Sequence, residues 1–179
     1  MARKSSRTLS TGPLGEPVYD FHFHVRNTGK TAAERVTATI VEFWYEDSSK
    51  GFVPMVEFLP VLLRYAESET VDIHPERPYY WNVGYLPSRK ALQKLPMPPR
   101  FDAPGKPSGG LAFWLDLYRP PWDQVNALAK GTYGLKVILH SKNAQAESIL
   151  LKVDWTGKWR STEVNMLEQI RIEQVHSFE

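Results

Sequence analysis

The sequence predicts an all-β domain, an antiparallel β-sandwich, and three observations carry that expectation. From Val18 the chain alternates strictly: Tyr19, Phe21, Phe23 and Val25 fall on one face of an extended strand, and Asp20, His22, His24 and Arg26 fall on the other. The following Asn27-Thr28-Gly29-Lys30-Thr31 has turn chemistry, because Asn27 can bond its own backbone and Gly29 can take positive φ, so the chain reverses into a second strand at Arg35. Late in the chain Tyr133, Leu135, Val137 and Leu139 alternate, as do Ile149, Leu151, Val153 and Trp155. The polar stretch from Ser141 to Glu147 joins these two runs as a hairpin.

Before the first strand, Arg3, Lys4 and Arg7 sit in a Ser/Thr/Gly-rich opening with no apolar run behind it. Residues 1–16 therefore read as a flexible basic tail without the apolar core of a signal peptide, and residues 17–176 as one sandwich domain. In the second strand Val36, Ala38 and Ile40 share one parity while Val41, Phe43 and Tyr45 share the other. A β-bulge near Ile40 and Val41 keeps both sets facing inward. Asp47-Ser48-Ser49-Lys50-Gly51 ends that strand as a turn. The β-rich run from Phe58 to Tyr65 carries Pro60, which has no ladder donor and so marks the start of a strand or an edge. Val71 and Ile73 predict a short strand closed by Pro75 and Pro78, and Tyr79 to Leu86 predicts another.

From Pro87 to Gly110 the rhythm breaks, with Pro87, Pro96, Pro98, Pro99, Pro104 and Pro107 alongside Gly105, Gly109 and Gly110. That composition makes residues 87–110 a loop insertion, opened by one or two helical turns that Ser88 caps and Pro96 ends. Leu111, Phe113, Leu115 and Leu117 then alternate as a strand up to Pro120 and Pro121. A short helix follows in this reading, with Pro121 in its first turn, Trp122, Val125 and Leu128 along one face, and Gly131 ending it. After Thr156-Gly157, Thr162 caps a short helix, and Ile170 and Ile172 form a last strand.

At 179 residues and 42% hydrophobic, the chain is long enough to bury one sizeable core. Its 22 basic and 20 acidic side chains are spread along the sequence, so the net charge of +2 implies no strong field for nucleic acid or anionic lipid. The lack of cysteine excludes a disulfide framework, a thiolate zinc site and a cysteine nucleophile. No run is apolar enough to span a membrane. Localisation stays open: cytoplasmic by default, or at the envelope for a module cut from a larger membrane protein.

The segment Val25-Arg26-Asn27-Thr28-Gly29-Lys30-Thr31-Ala32-Ala33, followed by a Val/Ile-rich strand, resembles the Asn-x-Gly turn of the CARDB-like domains of bacterial and archaeal proteins, which are immunoglobulin-like sandwiches. Gly131-Thr132-Tyr133-Gly134-Leu135-Lys136-Val137 is similar to their late strand. The resemblance covers roughly residues 18–45 and 131–155, and the 87–110 insertion departs from the compact family pattern. It implies a binding or spacer module with no catalytic residues to carry over. It also implies a tyrosine corner, in which the Tyr133 hydroxyl returns to backbone a few residues upstream.

His22 and His24 form the only His-x-His pair, a spacing that places two imidazoles on one strand face. With no third ligand identifiable among Asp20, His74, His140 and His176, the pair reads as a solvated polar face, and neither metal nor other cofactor is expected. No Gly-x-Ser-x-Gly elbow and no phosphate loop occurs, since Pro107-Ser108-Gly109-Gly110 lacks the following Lys and the strand-to-helix context. The functional expectation is a non-catalytic module for contact with a protein partner or a second copy. Its contact surface is placed on the insertion: Arg89, Lys90, Lys94 and Arg100 offer charge, and Leu95, Met97 and Phe101 offer apolar anchors. The alternative is a small-ligand or carbohydrate-binding sandwich with Tyr79, Tyr80 and Trp81 as an exposed aromatic platform.

Overall fold

The structure is a computed structural model, which describes residues 5–11, 16–66, 68–94, 111–118 and 126–178. In chain order its elements are β1 (Ser5–Thr11), β2 (Pro17–Arg26), β3 (Ala33–Asp47), β4 (Gly51–Pro54), β5 (Val61–Leu62), β6 (Val71–Ile73), β7 (Pro78–Pro87), α1 (Arg89–Lys94), β8 (Phe113–Leu115), β9 (Ala127–Leu128), β10 (Gly131–His140), β11 (Glu147–Trp155), α2 (Glu163–Leu167) and β12 (Ile170–Val175). They build two antiparallel sheets. The first has the order β1-β2-β7-β8-β9; the second has the order β12-β11-β10-β3-β4, with β5 and β6 also on β3. The all-β sandwich expected from the alternating runs is the fold.

One core lies between the sheets, and the alternation in the sequence dictates who enters it. Tyr19, Phe21, Phe23 and Val25 of β2 are buried with Trp81 and Val83 of β7, facing Val36, Ala38, Ile40 and Phe43 of β3 and Leu135, Val137, Leu151 and Val153 of β10 and β11. Phe21 meets Phe113 edge-on at 5.6 Å, and Phe23 stacks on Trp81 at 6.5 Å. The parity switch in β3 is a bulge, as the sequence requires. Glu42 pairs Lys136 and Ile40 pairs Val137, so Val41 is the extra residue and Phe43 returns to the inner face. A second bulge, in β7, leaves Val83 between the pairs Phe21–Gly84 and His22–Asn82.

The turn after β2 closes on Asn27, whose Oδ1 accepts the Gly29 N–H at 2.8 Å while its Nδ2 donates to the carbonyls of Thr31 (2.7 Å) and Ile73 (2.9 Å). Gly29 itself does not take positive φ, contrary to the sequence expectation. Its service is clearance, because a Cβ there would lie 3.1 Å from Asn27 Oδ1. The positive φ falls instead on Arg35, at +48°, where the ladder to β6 is irregular and the Arg35 N–H donates to Asp72 Oδ1. In the next turn Asp47 Oδ1 accepts from the Ser49 hydroxyl and from the backbone N–H groups of Ser49 and Lys50, which holds its carboxyl below the usual range.

Two further expectations are corrected. Residues 5–11 are not a free tail: β1 pairs along β2 from Ser5–Phe23 to Thr11–Pro17, so main-chain hydrogen bonds hold a polar strand that has no apolar face to announce it. The helix read over 121–128 fails at its end, because Ala127–Leu128 is the strand β9, paired with Phe113 and Trp114 of β8; residues 121–125 lie outside the described residues. The other two helices stand where expected. Ser88 Oγ accepts the Ala91 N–H at 3.2 Å to cap α1, whereas Thr162 precedes α2 in an extended conformation without a side-chain cap bond.

Tyr133 occupies the start of β10, buried at 5% exposure beside Phe43. Its hydroxyl donates to the Ala129 carbonyl at 2.9 Å, four residues upstream, and burial pushes its pKa up to about 12.

Candidate functional site

A surface cleft with a concentrated charge forms where the start of α1 meets the loop after β11. Ser88 anchors one side: its N–H donates to the Pro17 carbonyl at 3.1 Å and its hydroxyl caps α1, so Arg89 and Lys90 are held exposed at the first helical turn. That turn contains no acidic residue. Two cations at the positive end of a helix oppose its dipole, so helix stability is not what puts them there.

The other side is the loop 156–160, and its shape is set residue by residue. Thr156 is tied to Gln169 twice, by its N–H to the carbonyl (2.9 Å) and by its hydroxyl to Oε1 (2.8 Å). Gly157 has φ +81°, and a Cβ there would lie 2.9 Å from Lys130 Cβ, so only glycine makes this bend. Trp159 turns inward and tilts against Tyr19 at 4.9 Å, which directs its neighbours Lys158 and Arg160 to solvent. The Arg160 N–H donates to Met166 Sδ at 3.4 Å, fixing the far end of the loop to α2.

Between these two walls is a cavity of about 600 Å³ lined by Arg89, Lys90, Lys158 and Arg160, with Glu16, Pro17 and Ser88 at one side and Leu111 and Trp159 offering apolar surface. Among the described residues none of the four cations is paired with a carboxylate; the ion pairs lie elsewhere, at Arg64–Asp116, Lys136–Glu42, Lys142–Glu34, Lys152–Asp154 and Arg171–Glu173. Glu16 is engaged in an interaction of its own. Four cations against one carboxylate, beside an indole, form a surface suited to anionic groups carried on a partly apolar ligand.

Of the insertion residues selected from sequence, the structure brings Arg89 and Lys90 into this cleft. Lys94 closes α1, and Leu95, Met97, Arg100 and Phe101 lie outside the described residues. Lys158 and Arg160 escaped the sequence reading, although a basic-aromatic-basic triplet directly after a loop glycine is a usable signal. The aromatic platform is not assembled. Trp81 is fully buried against Phe23 and Tyr65, and Tyr79 is half-buried with its hydroxyl accepting the His74 N–H. Only Tyr80 faces outward, at 47% exposure, edge-on to His22 and His24 on the outer face of the first sheet.

Further along that face Asp116 accepts from Asn82 at 2.9 Å and pairs with Arg64 at 3.4 Å. Burial and the Asp116 charge together raise the nearby Tyr85 hydroxyl above its ordinary pKa. Among the described residues no group of three or more His, Cys, Asp or Glu side chains is placed to hold a metal ion, and no helix is long and apolar enough to cross a membrane. A smaller cavity of about 280 Å³ lies beside Asn27, Gly29, Ile73 and His140. Asn27 and the nearby Asn143, which accepts the Glu34 N–H and donates to the Ala32 carbonyl, spend their bonds on the loops themselves. No protein-family model matches this chain, and no curated protein matches it.

Proposed function

We propose that this domain is a non-catalytic interaction module that takes an acidic segment of a protein partner in the cleft between Arg89, Lys90, Lys158 and Arg160. The observation that carries the reading is the convergence of these four cations, free of carboxylate partners among the described residues, from two elements distant in sequence. Their charge steers an acidic segment and sets its register, while Leu111 and Trp159 give an apolar contact for a side chain beside the acids. The carbohydrate alternative is less favoured because Trp81 is buried and Tyr79 half-buried, which leaves Tyr80 alone of the expected platform exposed.

The immunoglobulin-like, CARDB-like reading belongs to the same proposal. It is supported by the chain passing from the first sheet to the second between β2 and β3, by the adjacency of β3, β10 and β11, and by the Tyr133 hydroxyl bond to Ala129.

The test uses a fluorescein-labelled peptide rich in Asp and Glu with one Leu and one Phe, followed by anisotropy. Reversing charge at Arg89→Glu with Lys158→Glu is expected to weaken binding by about tenfold or more and to flatten its salt dependence. Because both side chains are exposed, the thermal midpoint should stay near that of the wild type. Equal affinity for the wild type and the double variant would overturn the cleft as the contact surface.

A further inference from the structure

The outer face of the second sheet holds an aromatic slot that is already filled. Phe178, three residues beyond the end of β12, folds back so that its ring lies 4.8 Å from Trp44 of β3 and 5.1 Å from Phe52 of β4. Beneath it is Gly134, in the middle of the sheet on β10. A Cβ on Gly134 would stand 2.8 Å from Phe178 Cζ and 2.9 Å from Cε1, so the missing side chain is what makes room for the ring. A glycine weakens a central strand unless another group approaches it closely, and here that group is a single aromatic side chain on a short connection.

We propose that Trp44, Gly134 and Phe52 form a docking slot for an aromatic side chain on an extended peptide, and that the chain's own residues 176–178 are its resident, displaceable occupant. The chemistry of the slot selects the occupant. It offers two rings for tilted aromatic contact and a flat, side-chain-free floor, so it discriminates for a planar ring over a branched aliphatic group. The tether sets the balance. One ring contact is weak between separate molecules, but a connection of only three residues from β12 gives the resident Phe178 a local concentration in the millimolar range or above, enough to fill the slot in cis. The same arithmetic means that a peptide making additional main-chain or charged contacts outcompetes it. His176 and Ser177 are exposed, so little else holds the strap down.

The test removes the resident and supplies the ring in trans. Phe178→Ala empties the slot, and the probe is a blocked peptide of residues 174–178, Gln-Val-His-Ser-Phe, titrated to millimolar concentration while the Trp44 indole and Gly134 amide are followed by NMR. The Phe178→Ala protein should show saturable shifts at both sites, and the wild type should bind about tenfold more weakly because its own ring competes. The same peptide ending in Ala should produce no such shifts. Adding Gly134→Val to Phe178→Ala should abolish them, with the folded state verified by the dispersion of the remaining amides. Absence of saturable shifts in Phe178→Ala would overturn the proposal, as would equal affinity for wild type and variant.

Discussion

Replacing Gly84 by alanine is expected to destabilise the fold by about 3 kcal/mol or more, the upper range for inserting one methyl into a packed site. Gly84 sits on β7 immediately after the bulged Val83, and there β7 meets β8 through the pairs Gly84–Leu115 and Tyr85–Trp114. A Cβ at this position would lie 2.2 Å from the Trp114 carbonyl oxygen and 2.6 Å from Phe113 Cζ. The oxygen is backbone and the ring is fully buried against Phe21, so neither can swing aside. Relief requires β8 to move off β7, which costs the ladder as well as the packing. Gly51→Ala is the control: its φ of +74° imposes strain but nothing lies within 4 Å, so about 1 kcal/mol is expected. Urea unfolding of both variants checks the contrast, and a loss below about 1 kcal/mol for Gly84→Ala would show that the sheet yields there.

Tyr133 should separate hydrogen bonding from packing. Tyr133→Phe keeps the ring against Phe43 and removes only the bond to Ala129, for an expected cost on the order of 1 kcal/mol, whereas Tyr133→Ala also opens a cavity and should cost roughly 3 to 5 kcal/mol. The pH dependence has a definite sign. The hydroxyl titrates near 10 when unfolded and near 12 when folded, so its contribution is fully present below pH 10 and is lost as pH rises through 12. Tyr65 and Tyr85 are shifted in the same direction by burial and add to the alkaline loss in both proteins. The gap between wild type and Tyr133→Phe should therefore narrow from pH 10 to pH 12; a gap that stays constant would remove the buried donor from the account.

Much of this architecture is legible in the residues because one face of most strands is buried and the other is not. The runs ending at Val25, Leu139 and Trp155 alternate for that reason, and the bulge at Val41 is visible as a change of parity. Legibility fails where that asymmetry is missing. The strand β1 has no alternating apolar run and pairs along β2 through its backbone, so its composition resembles a free tail. In β8, Phe113, Trp114 and Leu115 are all buried, Trp114 with Ala112 and Ala127 in a small separate cluster, so strict alternation misjudges the outer side. The three-residue spacing of Trp122, Val125 and Leu128 imitates a helix, yet Leu128 is claimed by the tertiary pairing of β9 with β8.

The cleft is half legible for a different reason. Arg89 and Lys90 stand out as charge on an insertion, but their partners Lys158 and Arg160 arrive from the far side of the fold. The bond from Ser88 to Pro17, the bend at Gly157 and the packing of Trp159 on Tyr19 bring the two segments to one opening.

The most direct test of the interaction-module reading is to map where an acidic ligand lands. With the acidic Leu- and Phe-containing peptide added to the ¹⁵N-labelled protein, amide shifts should concentrate at Glu16, Ser88, Arg89, Lys90, Leu111 and residues 157–160, and should fade as salt is raised. Shifts centred instead on His22, His24 and Tyr80, or saturable binding that leaves the cleft amides unmoved, would contradict it.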